Sequence, residues 1–201
     1  MVSSRVIAVA AAIALGAGSV SAVTTASATA ATPKLITARL IRSGARGVLK
    51  PGKVVSQARL GVRVFTNSSR GFALATISGV TYPAATVDGG ATWKIDGPPF
   101  HLPAAQAPLV VTQIGAQKNT YFAWGGPQGG MVADVSPDAG KHWWQAELGG
   151  IVLSVVATFN GHLAASVQNP VGVSGVRAST LVYVSNDGGR HWRLSTRFGA
   201  F

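Results

Sequence analysis

The sequence predicts an all-β protein built from repeated hairpins, and three observations lead to this fold class. The 201 residues include 25 Gly and 10 Pro but only 11% charged residues, a composition that suits tight turns. Val, Thr and aromatic residues recur in short runs of strand length. A turn-like motif also occurs three times, with its aspartates Asp88, Asp138 and Asp187 lying 50 and 49 residues apart.

Residues 1–30 have the features of a secretory signal peptide. Arg5 precedes the apolar run 6–17, which is too short to span a membrane. Small residues would allow cleavage after Ala22, Ala28 or Ala30. We therefore expect a secreted or cell-envelope-associated protein that is not integral to the membrane.

Residues 31–59 are predicted to form a basic amino-terminal segment ahead of the repeats. Between residues 34 and 70 the chain carries nine Lys or Arg and no acid. Such a segment attracts anionic polymers, acidic glycans or phospholipid head groups. The alternative is a solvated arm with no specific partner. Nucleic acid is not the expected target, because the chain is predicted to be exported and has no aromatic-interleaved nucleic-acid motif.

The repeated motif has eight residues and four fixed positions, in the pattern Ser/Thr-x-Asp-(Gly/Ala)-Gly-x-(Thr/His)-Trp. An Asp at the start of a tight turn can accept backbone N–H groups one or two residues further on, and Gly tolerates positive φ. The Trp is expected to begin the returning strand and to cover the turn. The fixed residues of the three copies are Thr86, Asp88, Gly90 and Trp93, then Ser136, Asp138, Gly140 and Trp143, then Ser185, Asp187, Gly189 and Trp192.

Four strands are predicted around each motif, in repeats that cover about residues 60–100, 105–148 and 149–197 of a domain over 60–201. Short apolar runs flanked by Gly favour strands over buried helices. The predicted strands are 61–66, 71–76, 80–86 and 92–95, then 109–114, 120–124, 131–135 and 142–146, then 151–157, 162–167, 180–184 and 191–195.

The motif resembles the Asp-box, or BNR repeat, of sialidases and of sortilin-type and photosystem-assembly propellers. The resemblance covers about residues 60–195. It implies a β-propeller of four-stranded antiparallel blades, with each Asp-box between the third and fourth strands of its blade. In that family the box is structural and lies away from the ligand site, so it implies a fold more than an activity.

Three Asp-boxes supply three blades, whereas propellers typically close with four to eight. We therefore expect an all-β, propeller-like fold of three to four four-stranded blades. Either residues 35–56 help to complete a fourth blade, or a homo-oligomer completes the ring. A truncated propeller is the remaining alternative.

The resemblance makes a sialidase-like glycoside hydrolase the alternative function. Sialidase chemistry needs three arginines, a Tyr nucleophile with a Glu partner, and an Asp acid/base. Outside the Asp-boxes, only Asp96, Asp134 and Glu147 remain as acids. Their spacing does not support this chemistry, and the Arg-Ile-Pro signature that precedes the first box in the family is absent. The tyrosines that Glu147 would have to activate are Tyr82, Tyr121 and Tyr183.

We expect a non-catalytic binding or assembly module for a glycan or protein partner at the cell envelope. The absence of Cys excludes disulfides and thiol catalysis, and no pattern calls for a metal or a cofactor. Trp124 and Trp144 are candidate binding residues, since they lie outside the repeat pattern and an exposed Trp often stacks on sugars. Their alternative role is packing between blades. Arg59 and Arg63 of the basic segment are the other candidates.

Overall fold

A computed structural model of the chain describes residues 35–42, 49–100, 113–125, 131–158, 161–169 and 179–199. The strands described form three open antiparallel sheets of five strands each. This confirms the predicted all-β class. The expected signal peptide and the predicted strand residues 109–112 lie outside the described residues.

The amino-terminal segment supplies one short strand to each sheet. These strands are β1 (Leu35–Thr37), β2 (Arg39–Ile41) and β3 (Val54–Val55). A single 3-10 turn, Gln57–Arg59, follows them. We call the described residues 35–42 and 49–55 the strap.

Each repeat builds four consecutive strands, close to the predicted positions, because the Gly-containing turns join neighbours along the chain. The first sheet contains β4 (Leu60–Phe65), β5 (Gly71–Ile77), β6 (Val80–Thr86) and β7 (Trp93–Ile95). The second contains β8 (Gln113–Gln117), β9 (Thr120–Gly125), β10 (Val132–Ser136) and β11 (Trp143–Glu147). The third contains β12 (Ile151–Ala157), β13 (Leu163–Asn169), β14 (Ser179–Ser185) and β15 (His191–Phe198).

The strap adds the fifth strand at the same edge of every sheet, beside the strand that follows the Asp-box. Leu35 is paired with Arg193 in the third sheet, Arg39 with Gln145 in the second, and Val54 with Lys94 in the first. The strap thus visits the sheets in reverse chain order. The prediction of four-stranded sheets is therefore wrong, and the strap strands extend three sheets instead of starting a fourth.

Consecutive sheets pack through apolar faces on which the Asp-box tryptophans are buried. Trp143 lies in the cluster between the first and second sheets, and Trp192 in the cluster between the second and third. Trp93 is buried on the other face of the first sheet, where Val55 of the strap also packs. Burying one Trp removes about 150–250 Å² from water. At about 25 cal/mol per Å², this contributes on the order of 4–6 kcal/mol.

The turn between the first two strands of a repeat packs on the Asp-box of the same sheet. Gly89 N donates a hydrogen bond of 2.9 Å to Ser69 O in the first sheet, and Ala139 N donates one of 2.7 Å to Asn119 O in the second. The two turns of each sheet therefore lie at the same end of the strands.

Candidate functional site

Each Asp-box is closed by the same hydrogen bonds between its first hydroxyl, its carboxylate and its backbone. In the second box, Ser136 Oγ accepts from Gly140 N at 2.7 Å and donates to Asp138 Oδ1 at 3.0 Å. Asp138 Oδ1 also accepts from His142 N at 2.9 Å. The backbone N–H that donates to the Asp carboxylate thus lies four residues beyond the Asp, and not one or two residues beyond it as expected. The first and third boxes repeat this arrangement around Thr86 and Asp88 and around Ser185 and Asp187.

The glycines of the boxes occupy the left-handed region that the turn requires. Gly90, Gly140 and Gly189 have φ values of 91°, 91° and 86°. Ala139 has a φ of 57° in the second box, where the other boxes have Gly. A residue with a Cβ is strained at such angles, so the Gly at the fixed position is needed for the turn itself.

Two of the boxes add a histidine to the turn. His142 Nδ1 lies 2.5 Å from Asp138 Oδ2, and His191 Nδ1 lies 2.6 Å from Asp187 Oδ2. Burial acts to raise the pKa of both aspartates. Hydrogen bonds from the histidine and from the serine of each box outweigh it, so both pKa values are lower than usual. The histidines therefore brace the turns of the second and third boxes.

The second box is also fastened to the end of the first sheet. Trp143 Nε1 donates to Asp96 O at 3.2 Å, whereas Trp93 and Trp192 donate to the glycine carbonyl of their own boxes. The Asp96 carboxylate lies against Gly140, where a Cβ would come within 1.8 Å of Oδ2. Burial and the nearby Asp138 charge raise the pKa of Asp96 to about 7.

Asp96 also contributes to the lining of a cavity of about 290 Å³ beside β7. Asp88, Thr92 and Lys94 supply the other polar groups of the cavity, and Pro51 and Gly52 of the strap line it too. A mixed polar and apolar cavity with a perturbed carboxyl group is a candidate binding site. Among the described residues, no group of three or more His, Asp or Glu is arranged to hold a metal ion.

A second carboxyl group, Asp134, is buried in the second sheet. Its register partner Gln145 is only 2% exposed, and Gln145 is paired in turn with Arg39 of the strap. Arg39 Nε donates to Gln145 Oε1 at 3.1 Å. Burial raises the pKa of Asp134 to about 7, although Gln145 and Arg39 act to lower it. The raised pKa shows that burial outweighs both effects, so the charged form of Asp134 destabilises the core.

The residues that a sialidase-like site would require are dispersed. Glu147 lines a cavity of about 190 Å³ with Arg39 and Gln145. Tyr121 is buried and stacks on Phe72 with a centroid distance of 4.9 Å. Its pKa is raised by burial and by the charge of Asp96, not by Glu147. Tyr82 lies in the apolar cluster on the other face of the first sheet, and Tyr183 packs between the second and third sheets.

The candidate binding residues Trp124 and Trp144 lie between the second and third sheets. Both are partly buried against that apolar cluster, and Trp124 stacks on Phe122 with a centroid distance of 6.1 Å. The Arg190 guanidinium lies 5.2 Å from the ring centroid of Trp144. These contacts favour the packing role over ligand stacking.

Strand register explains why the two tryptophans do not repeat in the third sheet. The residues equivalent to Trp124 and Trp144 on the outward face of the third sheet are Ser166 and Arg193. That face has no following sheet among the described residues, so it does not need large apolar side chains.

Arg59 and Arg63 lie at the β4 side of the first sheet, away from the strap edge. Both are exposed, and Arg63 Nη2 donates to Gln57 O at 3.3 Å. Arg59 and Arg63 thus belong to the first sheet, whereas Trp124 and Trp144 lie between the second and third sheets.

The largest set of exposed cations follows the strap edge of the three sheets instead. Its members belong to the strap, to β7 and β15, or to the boxes that precede β11 and β15, and all are exposed. Sequence analysis found the strap cations but missed those from the sheets. For all of them except Arg197, the signal is a Lys or Arg two residues before or one residue after an Asp-box Trp. We call this set the cationic rim: Arg39, Arg42, Lys50, Lys53, Lys94, Lys141, Arg190, Arg193 and Arg197.

Comparison with protein-family models, with curated proteins and with solved structures finds no match to this chain. The structure contains no helix, within the ranges described, of the length and hydropathy that a membrane span requires.

Proposed function

We propose that this protein is a non-catalytic binding module for a linear anionic glycan at the cell envelope. The observation that carries the proposal is the cationic rim, in which nine exposed Lys or Arg side chains follow one edge of three adjacent sheets. Closely placed cations attract an anionic polymer and increase its rate of encounter.

The positions of the acids support binding over catalysis. Asp88, Asp138 and Asp187 are each held in the hydrogen bonds of an Asp-box. Asp134 is buried in the core without access to solvent. Glycosidase chemistry needs two carboxyl groups facing one glycosidic bond. Asp96 shares its cavity with Asp88, whose carboxylate is held in the hydrogen bonds of the first Asp-box, and Glu147 lines a different cavity.

We further infer that the three sheets are blades of a β-propeller of the Asp-box type. Each repeat contributes four consecutive strands, and each box lies between the third and fourth of them. Apolar clusters join the first sheet to the second and the second to the third, as between neighbouring blades. Light scattering measures the mass of the mature protein in solution and thereby tests whether a homo-oligomer completes a ring.

Few exposed aromatic side chains lie in the described residues, which favours a glycan over a nucleic acid. Phe65 and Phe198 are the exposed aromatics among the large apolar side chains of that part of the chain. Single-stranded nucleic acid is bound mainly by bases stacking on such rings. A ligand held mostly by charge does not need them.

The test measures binding of a heparin-derived decasaccharide by calorimetry over a range of NaCl concentrations. A rim variant replaces Lys53, Lys94, Lys141 and Arg193 by Gln, and a matched control replaces Arg59, Arg63, Arg70 and Lys118 by Gln. We expect the rim variant to bind the decasaccharide at least about tenfold more weakly than the wild type. Its affinity should also fall less steeply as the NaCl concentration rises. The control, with the same net charge, should keep most of its affinity.

Equal losses in the two variants would overturn the assignment to the rim. Tighter binding of single-stranded DNA with the same number of charges would replace the glycan by nucleic acid. Turnover of a fluorogenic sialoside that Glu147→Gln abolishes would replace the binding module by the hydrolase.

A further inference from the structure

The strap is held on the three sheets by few contacts. Its strands have three, three and two residues. Leu35 and Val54 are 58% and 62% exposed, and the fully buried apolar residues are Ala38 and Val55. Ile36, Ile41 and Leu49 are only partly buried against the apolar clusters. Short pairings with little buried apolar surface open at low free-energy cost.

A small number of backbone hydrogen bonds fix the strap between its strands. Ala38 N donates to Arg190 O at 2.8 Å where the strap passes from the third sheet to the second. At the first sheet, Gly52 N donates to Ile95 O at 2.8 Å and Ile95 N donates to Lys53 O at 2.9 Å. These bonds set the strap directly against the cations of the sheet edges.

Cations of the strap and of the sheets lie at neighbouring positions of the strand register on the first and second sheets. Lys53 adjoins Val54, the register partner of Lys94. Arg42 follows Ile41, the register partner of Trp143, and Lys141 lies two residues before that Trp. Neighbouring charges of the same sign oppose docking of the strap, most strongly at low ionic strength.

Carboxylates offset only part of this charge. The acids near the strap edges are Asp88 and Asp96 at the first sheet, Asp138 and Glu147 at the second, and Asp187 at the third. The rim places three Lys or Arg at each sheet, so cations are in excess at all three edges. Asp96, with its pKa of about 7, is only partly charged at neutral pH.

We propose that a linear anionic polymer binds along the strap and the three sheet edges together, and thereby fastens the strap to the sheets. An anionic chain placed between strap and sheet cations converts their repulsion into two attractions. Binding and strap docking are then thermodynamically coupled, each favouring the other. This inference rests on the proposed function, but it adds a conformational change and a length requirement.

The length requirement follows from sheet spacing. Packed sheets lie about 10 Å apart, so a ligand that contacts all three edges must extend over roughly 20 Å. A disaccharide can contact one edge only, whereas a decasaccharide can reach all of them. Fastening the whole strap therefore requires the longer ligand.

Hydrogen exchange followed by mass spectrometry tests the coupling on the mature full chain at low ionic strength. The probes are a heparin-derived decasaccharide and a disaccharide at equal charge concentration. We expect the decasaccharide to slow exchange in residues 35–42 and 49–55 by about fivefold or more. The disaccharide should have a smaller effect, and the buried strand β5 serves as the internal control with no change.

A double variant, Lys94→Gln with Lys141→Gln, tests the repulsion itself by removing cations from the sheets and none from the strap. Without ligand, its strap should exchange more slowly than that of the wild type, and the decasaccharide should slow it less. NaCl alone should also protect the wild-type strap through screening.

Unchanged strap exchange in a protein that binds the decasaccharide would overturn this inference and leave the proposed function standing. Absence of binding would overturn the proposed function. In that case, slower exchange in the double variant and in NaCl would still support the charge repulsion, and unchanged exchange would refute it.

Discussion

The indole nitrogen of Trp143 donates to the backbone oxygen of Asp96, 47 residues earlier in the chain. The other two Asp-box tryptophans donate within their own turns. The second box is therefore completed by the preceding sheet, and the Asp96 side chain covers Gly140 at the same place. This contact couples the second box to the first sheet.

Gly140→Ala should destabilise the protein more than Gly52→Ala. The two glycines have nearly the same φ, 91° and 89°, so the cost of the left-handed conformation is matched. A Cβ at Gly140 would clash with Asp96, whereas a Cβ at Gly52 meets nothing within 4 Å. We expect the free energy of unfolding in urea to fall by about 1–3 kcal/mol more for Gly140→Ala. Equal losses would mean that Asp96 does not pack on this glycine.

Ser185→Ala should weaken the third box. Ser185 Oγ accepts from Gly189 N at 2.9 Å and is only 1% exposed, so its removal leaves a buried N–H without a partner. The expected loss in free energy of unfolding is about 1–3 kcal/mol, measured by urea denaturation. Ser195→Ala, at an exposed position of β15, is the control and should change stability by less than about 0.5 kcal/mol.

The stability of the protein should fall as the pH rises from about 4 to about 7. Burial raises the pKa of Asp134 from 3.8 to about 7, so in this range the folded state holds a proton that the unfolded state has released. One such group lowers the free energy of unfolding by up to about 1.4 kcal/mol per pH unit, and the loss ends above pH 7. Asp96 acts in the same direction.

Asp134→Asn should flatten this pH dependence and stabilise the protein at pH 8. Urea denaturation at pH 5 and pH 8 measures both effects. The stability of the double variant Asp96→Asn with Asp134→Asn should depend on pH even less. A single variant that keeps the wild-type slope would show that Asp134 is not the titrating group.

Trp124→Ala should act on stability and not on ligand affinity. Trp124 packs between the second and third sheets, so we expect its truncation to lower the free energy of unfolding by about 3 kcal/mol. Affinity for the decasaccharide, measured where the variant is folded, should stay within about twofold. Phe198→Ala, which removes a 60% exposed ring, should cost less than about 1 kcal/mol. A selective loss of affinity in Trp124→Ala would restore the ligand-stacking role.

The strands of the repeats were predictable because their partners are close in the chain. Gly-rich turns fix which strands are neighbours, so β5, β6 and β7 lie within a few residues of their expected positions. The strap strands carry no comparable signal. Two or three residues cannot show an alternating pattern, and the partner of Leu35 is Arg193, far along the sequence.

The candidate site was predictable only in part for the same reason. The basic segment was visible as a run of charge, and the strap supplies four members of the rim. Lys94, Lys141 and Arg193 join them only through long-range pairing. Asp96 likewise has no recognisable pattern, since its environment is created by Gly140 of the next repeat.

The reversed path of the strap has a consequence for the order of folding. In most repeat arrays each unit contacts only its neighbours, so the array can form and open one unit at a time. Here β1, among the first described residues to be synthesised, finds its partner only when β15, the last of the described strands, has formed. Such distant pairing slows folding, because loop-closure entropy is lost before the contact forms. In return, this pairing joins the first and the last of the described strands in one sheet.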